Sequence, residues 1–346
     1  MAAEVGVVMA ASFSTMVCGA RLGTWLGPEA RKAVSYLYST VVFPAMVFRG
    51  VAAIDLSGVD WQLMLTILLS KLAVAMVCLL FGIWRHGSQG LPHAAAYAMA
   101  ASHSFDVTLG APMAKVLFPV YAGYIYLNQS TQLVAVNPLL LILMEIGGSR
   151  SKGASISSTV ASTVKGVATN PLVLATLVGL ASGRAFPAGL PPVLAALSKQ
   201  IADAGPFLGF VSLGLAMNNL SATSGSDVRD AAVLCAAKLV LMPLCYAALG
   251  SALGVTAPMA FLVFLGSLPA SASVYSLTLT RGLSPRVVGP LVPVSMLLSV
   301  ALSLLPNDAK LATVSAPAAL RLGIGALAAL SLLVPQGAVS PRPHAE

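Results

Sequence analysis

The chain has 346 residues, of which 58% are hydrophobic and only 9% charged, and its mean hydropathy is +0.89. This composition excludes a soluble globular protein, because apolar stretches of about 20 residues recur along almost the whole sequence. The net charge of +8 does not indicate nucleic-acid binding, since the basic residues are scattered through short loops, where they set membrane topology.

The sequence predicts ten membrane-spanning helices. They cover approximately residues 5–25, 33–54, 61–84, 92–118, 121–147, 167–182, 192–217, 231–253, 257–280 and 287–305. A short turn at 27–32 follows the first helix. A weaker apolar segment, 320–334, predicts an eleventh helix, and a disordered tail is expected after it.

These helices form two halves of five. Residues 1–148 make up the first half and 167–306 the second, and a serine-rich, basic connector at 149–166 joins them. Residues 307–346 hold the weaker segment and the tail. Because five is an odd number, the second half must enter the membrane from the opposite side, which predicts an inverted repeat.

The fourth predicted helix contains an unusual polar interruption. Ser104, Asp106 and Thr108 lie in the middle of an apolar segment, followed by Gly110 and Pro112. An ionisable group inside a membrane is costly and usually faces a cavity in which it has a function. Glycine and proline break the helix and free backbone groups, which is tolerated only where these groups are buried in protein or line a cavity.

A second interruption lies in the ninth predicted helix, at residues 268–273. Paired broken helices in matching positions of two halves are the sequence sign of a transporter's binding site near the midplane of the membrane. We therefore predict that the two breaks form a binding site near the midplane. The predicted substrate-binding residues are Ser104, Phe105, Asp106, Thr108, Asn128, Asn137, Pro269, Ala270, Ser271 and Ser273, and the helix breaks are assigned to Gly110, Pro112 and Pro269.

Each of these residues has a structural alternative. Asp106 could bind a proton, a cation or substrate, or it could cap the half-helix by accepting backbone N–H bonds. The hydroxyl groups could contact substrate or bond to the carbonyl four residues earlier. Asn128 and Asn137 could line the cavity or join helices by hydrogen bonds. Lys71 and Lys238, deep in helices three and eight, could couple to Asp106 or to a substrate anion, or form a structural bridge.

Positive charge is distributed unequally between the two sides of the membrane. One side collects Arg31, Lys32, Arg85, Arg150, Lys152, Lys165, Arg229, Arg281 and Arg286, and the other holds Arg49, Lys115, Arg184, Lys199 and Lys310. The richer side is expected to be cytoplasmic, and the connector with it. The N-terminus is then outside the cell or in a lumen, in the plasma membrane or in an endomembrane such as that of the lysosome, vacuole or endoplasmic reticulum.

Short motifs recur in a fixed order between residues 5 and 306. They include GARLG at 19–23, GPEARK at 27–32 and VVFPAMVF at 41–48, and in the second half LPP at 190–192 and LGLAM at 213–217. In this order they resemble the auxin efflux carrier, or PIN-like, membrane transport family. Residues 104–112, with YIYL at 124–127, Asn137-Pro138 and Glu145-Ile146, are most similar to the PIN-like domain of the family's lysosomal cholesterol-signalling branch.

The resemblance implies two inverted five-helix repeats, as in sodium–bile-acid-symporter-like folds, with helices four and nine crossing. It further implies a scaffold of helices 1, 2, 6 and 7, a moving part of helices 3–5 and 8–10, elevator-like alternating access and a homodimer. The short central loop and the aspartate at the first break differ from plant auxin carriers.

No enzyme signature such as HExxH, GxSxG or a Walker loop is present, so we expect no enzymatic activity, no cofactor and no metal site. The expected function is secondary transport, or uniport, of a small anionic or amphipathic organic solute. The alternative is a non-transporting sensor of sterol or lipid with the same fold. The expected partners are this solute, membrane lipids including a sterol, and a second copy of the chain.

Overall fold

A computed structural model of the protein describes residues 2–54, 58–87, 90–150, 156–217 and 224–304. Over these residues the protein is all α-helical and contains no β-strand. A single isolated β-bridge joins Ser104 to Ala270. The predicted eleventh helix and the tail lie outside the described residues.

The described part of the chain contains seventeen α-helices. They are α1 (Ala2–Trp25), α2 (Pro28–Leu37), α3 (Phe43–Ala52), α4 (Trp61–His86), α5 (Leu91–Ser102), α6 (Ala111–Leu117), α7 (Tyr124–Thr131), α8 (Asn137–Arg150), α9 (Ile156–Ala168), α10 (Pro171–Ala185), α11 (Pro192–Asp203), α12 (Gly205–Met217), α13 (Gly225–Ala236), α14 (Met242–Ala252), α15 (Met259–Ser267), α16 (Ala272–Arg281) and α17 (Pro285–Leu304).

Six continuous stretches are long and apolar enough to cross a membrane. They are Gly6–Trp25, Pro28–Ala52, Trp61–His86, Pro119–Gly147, Pro192–Met217 and Gly225–Ala252, and shorter apolar helices occupy Pro171–Ala185 and Pro285–Ser299. The prediction of a helical membrane protein is confirmed at this level. The predicted fourth and ninth helices are each split into two halves too short to span a bilayer alone. The inverted arrangement of the halves stays a prediction.

One local prediction was wrong. Residues 28–32, expected in a turn, form the start of α2, because proline is favoured in the first turn of a helix and Glu29 follows it there. The connector is more helical than its serine content indicates: α8 extends to Arg150 and α9 begins at Ile156. Apolar residues at 156, 160, 164 and 167 recur at helical spacing, which outweighs the weak helix propensity of serine.

Four wide π-helical turns interrupt otherwise regular helices. Each one ends two residues before a proline: Tyr38–Val42 before Pro44, Asp106–Gly110 before Pro112, Gln132–Val136 before Pro138 and Ala237–Leu241 before Pro243. A proline inside a helix lacks an N–H donor and its ring collides with the carbonyl four residues earlier. Widening the preceding turn relieves that collision, and such turns are frequent at functional sites.

The most extensive helix contacts fall into two groups. In the first, α1 packs on α12, and α3 packs on α10 and α11. In the second, α4 packs on α5 and α14, α14 on α15, and α5 on α8. Smaller contacts join the groups where α6 and the π turn before it touch α1 and α12. The crossing of the broken helices belongs to the second group and faces the first.

Glycines allow α1 and α12 to approach each other at backbone distance. A Cβ atom at Gly19 would lie 2.4 Å from the Val211 carbonyl oxygen, and one at Gly214 would lie 2.1 Å from the Met16 carbonyl oxygen. Close approach of this kind is typical of helix packing in membranes, where small residues bring van der Waals surfaces together.

We expect Gly214→Ala to separate α1 from α12 and to destabilise the protein by about 1–3 kcal/mol, the usual cost of overpacking. The measurement is the unfolding midpoint of the purified protein in detergent. Gly6→Ala on α1 is the matched control, because a Cβ at Gly6 meets nothing within 4 Å. Equal midpoints for the two variants would contradict the packing described here.

Candidate functional site at the crossing of two broken helices

The two helix breaks lie against each other and pair through their backbones. The amide of Phe105 donates a hydrogen bond of 2.9 Å to the Pro269 carbonyl, and the amide of Ser271 donates one of 3.2 Å to the His103 carbonyl. This is antiparallel strand pairing over one residue, Ser104 opposite Ala270. Backbone groups freed by the breaks thereby satisfy each other, which an apolar interior requires.

Side chains from other helices satisfy the backbone groups that remain. The Ser104 amide donates to Oε1 of Gln132 at 2.9 Å, and the Ala270 amide donates to Oγ of Ser295 at 3.0 Å. Both broken segments are therefore held in place from two sides. The crossing is therefore an ordered, hydrogen-bonded structure and not two frayed helix ends.

Two lysines and one aspartate surround the crossing, and all three side chains are buried. Lys71 and Lys238 have 0% of their surface exposed and Asp106 has 1%. Nζ of Lys71 lies 4.0 Å from Oδ2 of Asp106, and it donates to Oε1 of Gln132 at 2.8 Å. Nζ of Lys238 donates to Oγ of Ser104 at 2.5 Å.

Asp106 is held by one strong contact and leaves one oxygen without a hydrogen bond. Nδ2 of Asn128 donates to Oδ1 of Asp106 at 2.9 Å, and the Tyr246 hydroxyl donates to Oδ1 of Asn128 at 2.9 Å. Within the described structure, Oδ2 of Asp106 has no hydrogen-bond partner, and the half-helix that Asp106 begins has no side-chain cap. The capping alternative for Asp106 is therefore wrong.

The formal charges of this cluster do not cancel. In their usual ionised forms, two ammonium groups would face a single carboxylate in an interior closed to solvent. A buried charge is costly unless it is paired and hydrogen-bonded. The cluster can therefore accept an additional anion, or release a proton from one lysine.

The edge of the cluster also contains a buried polar atom that makes no hydrogen bond. Nδ1 of His103 lies 3.1 Å from Oγ of Ser102, whereas Oγ of Ser70 has no hydrogen-bond partner in the described structure. All three residues are buried. Buried polar atoms without partners are uncommon in native proteins, so those at this crossing are candidates for a functional role.

Most of the predicted site residues lie at the crossing. Those that are buried there are Ser104, Phe105, Asp106, Thr108, Gly110, Asn128, Pro269, Ala270 and Ser271. The hydroxyl of Thr108 bonds the Tyr38 hydroxyl at 2.6 Å, so Thr108, like Ser104, contacts another helix through its hydroxyl. Phe105 packs edge-on against Phe210 with their ring centroids 5.7 Å apart.

Two predicted residues lie at the margin. Ser273 is exposed, and its hydroxyl lies 2.8 Å from that of the buried Ser271. Asn137 is half-buried and lines a cleft of about 380 Å³ that also contains Glu145 and Arg281, which pair with each other. The structure therefore puts Asn137 and Ser273 between the crossing and open space, not inside the crossing.

Four residues that hold the crossing together were not predicted from the sequence: Tyr38, Gln132, Tyr246 and Ser295. A signal for two of them was present. Tyr38 and Gln132 each precede a proline by six residues, as Asp106 does, and all three begin a π turn. No group of three or more histidine, cysteine or acidic side chains in the described residues could hold a metal ion.

The helices and their crossing define a helical membrane protein with two broken helices that pair at their breaks. No family model matches the chain. Among curated proteins, the chain is similar to the lysosomal cholesterol signaling protein of Mus musculus, at 26% identity over 245 residues. The similarity covers 67% of this chain and 28% of the relative. The chain thus spans little more than a quarter of the relative's length.

We expect Asp106→Asn to destabilise the protein by about 3–5 kcal/mol, because it leaves buried lysines without a counter-charge. Adding Lys71→Met to this variant should restore part of the loss, since one of the uncompensated charges is then removed. The measurement is a double-mutant cycle of unfolding midpoints in detergent. Asp203→Asn, an exposed acid, is the control and should change little. Strict additivity of the two substitutions would contradict the pairing.

Proposed function

We propose that this protein is a PIN-like secondary transporter, or uniporter, that moves a small anionic or amphipathic organic solute by alternating access. The observation that carries the proposal is the buried crossing of two broken helices, whose backbone bridge at Ser104 and Ala270 is surrounded by ionisable side chains. Irregular backbone of this kind near the middle of a membrane protein is typical of transporter substrate sites.

The charge of the crossing supports an anionic substrate. Lys71 and Lys238 exceed Asp106 by one positive charge, and a bound carboxylate or similar group would balance the cluster. Asp106 and the lysines also supply groups that could exchange a proton during transport. The same three residues therefore serve both parts of the proposal, substrate recognition and coupling.

The packing of the helices supports an elevator-like movement. The helices that carry the crossing form one closely packed group, and their contacts with α1 and α12 are smaller. In the proposed mechanism the first group is the scaffold and the second carries the substrate across the membrane. A homodimer, which the PIN-like resemblance implies, and a cytoplasmic connector, which the distribution of positive charge predicts, complete the proposal.

A non-transporting sterol sensor is the second candidate. It is favoured by the similarity to a relative whose name describes cholesterol signalling. A sensor would bind sterol between helices and would not need the buried charges at the crossing. This difference separates the two candidates experimentally.

Transport is tested with the purified full chain in two stages. A thermal-shift screen in detergent with benzoate, indole-3-acetate, decanoate and cholesterol identifies a ligand, since a ligand of the folded state raises the unfolding midpoint. Flux of that ligand into proteoliposomes is then measured. We expect Asp106→Asn and Lys238→Met each to reduce flux at least tenfold, whereas Asp203→Asn does not. Saturable cholesterol binding without flux, unchanged by Asp106→Asn, would instead support the sensor.

The movement is tested at Gly209, which lies between the two helix groups. A Cβ atom there would lie 2.6 Å from Cγ2 of Thr108 and 2.9 Å from the Tyr38 hydroxyl. We expect Gly209→Ala to obstruct sliding at this contact and to slow flux several-fold while binding of the same ligand persists. Gly166→Ala is the control, because a Cβ there meets nothing within 4 Å. Loss of binding together with flux would argue against a purely mechanical effect.

A further inference from the structure

A second cleft lies away from the crossing, at the end of the molecule where α3 and α6 finish. Its volume is about 500 Å³, within the range of small-molecule sites. The cleft is lined on one side by the end of α3 and the segment after it, and on the other by α6 and residues 119–127. It therefore lies between the two helix groups described above.

Among the described residues that line this cleft, the charged ones are Arg49 and Lys115, and none is acidic. One guanidinium nitrogen of Arg49 donates to the Ala195 carbonyl at 3.0 Å, which fixes the side chain and leaves other N–H donors of the planar group available. Lys115 is exposed and lies in the last turn of α6. Asp203 pairs with Lys199 and is not part of the lining.

The rest of the lining is apolar and aromatic. It includes Ile54, Val59, Val120, Leu127 and the rings of two tyrosines at 124 and 126. The Tyr126 ring lies directly on α3, because Gly50 has no side chain: a Cβ there would be 2.1 Å from the ring. The Tyr124 hydroxyl accepts a hydrogen bond from the Asp60 amide at 2.7 Å, which fixes this wall as well. The cleft thus has a rigid apolar surface and a cationic rim.

We propose that this cleft is a binding site for an amphipathic anion, with a carboxylate or phosphate group between Arg49 and Lys115 and an apolar tail along the tyrosine wall. Guanidinium and ammonium groups are the usual partners of these anions. The site is separate from the crossing and does not depend on the proposed transport activity. Such an anion would touch α3 and α6 together, and so would connect the two helix groups.

A carboxylate or phosphate of this shape has two sources, a membrane lipid or a dissolved solute. The test uses the purified full chain in nanodiscs of phosphatidylcholine, with either phosphatidylglycerol added to the bilayer or decanoate added to the buffer. Binding is read from amide hydrogen-exchange protection of residues 49–54 and 115–127. Protection by phosphatidylglycerol identifies a lipid headgroup, and protection by decanoate identifies a solute. Either result supports the proposal.

Matched variants test whether the hydrogen-exchange protection depends on Arg49 and Lys115. We expect Arg49→Gln and Lys115→Gln each to weaken binding about tenfold, the effect of losing one charge-assisted contact. Lys115→Arg should retain binding, because the charge is kept. Arg184→Gln, an exposed cation outside the lining, is the control. Binding should also weaken as salt is raised. Absence of protection by both ligands, or protection that is equal in the glutamine variants, would overturn the proposal.

Discussion

The structure depends on the backbone pairing of two helix breaks inside an apolar protein. Breaking a helix frees N–H and C=O groups that cost several kcal/mol each when left unsatisfied in such an interior. Here the breaks satisfy one another through the backbone amides of Phe105 and Ser271. The side chains of Gln132 and Ser295 accept hydrogen bonds from two further amides. Neither break is tolerable without the other, so the pairing fixes how the segments around residues 104 and 270 must be arranged.

The buried charges follow from this arrangement. Because the breaks open space between helices, long side chains can reach the crossing. Lys71 reaches it from α4, and Lys238 reaches it from the π turn before α14. Asp106 lies at the start of the broken segment and is therefore within reach of Lys71. The contacts that stabilise the crossing are made by the same atoms that the proposed substrate would meet, so a substitution there changes stability as well as binding.

The sequence allowed the broken helices and most of the crossing to be predicted, because a polar residue beside glycine and proline is conspicuous in an apolar segment. Asp106 and the serines at 104 and 271 were found in this way. Tyr38 and Tyr246 were not, since an aromatic residue in a membrane helix has no distinctive pattern and its role depends on which helix faces it. Gln132 was missed for a related reason: its effect on the crossing depends on the wide turn in which it lies, and only the distant Pro138 indicates that turn.

The wide turn at Ala237–Leu241 also determines which side chains α14 presents. Lys238 and Tyr246 are eight positions apart, and in a regular helix of 3.6 residues per turn they would point about 80° away from each other. A π turn takes up roughly one additional residue, which reduces this divergence to about 20° in the opposite sense. Both side chains then reach the crossing, Lys238 at Ser104 and Tyr246 at Asn128. A single proline, Pro243, therefore determines the direction in which the side chains of α14 point relative to Lys238, and so which polar groups meet at the crossing.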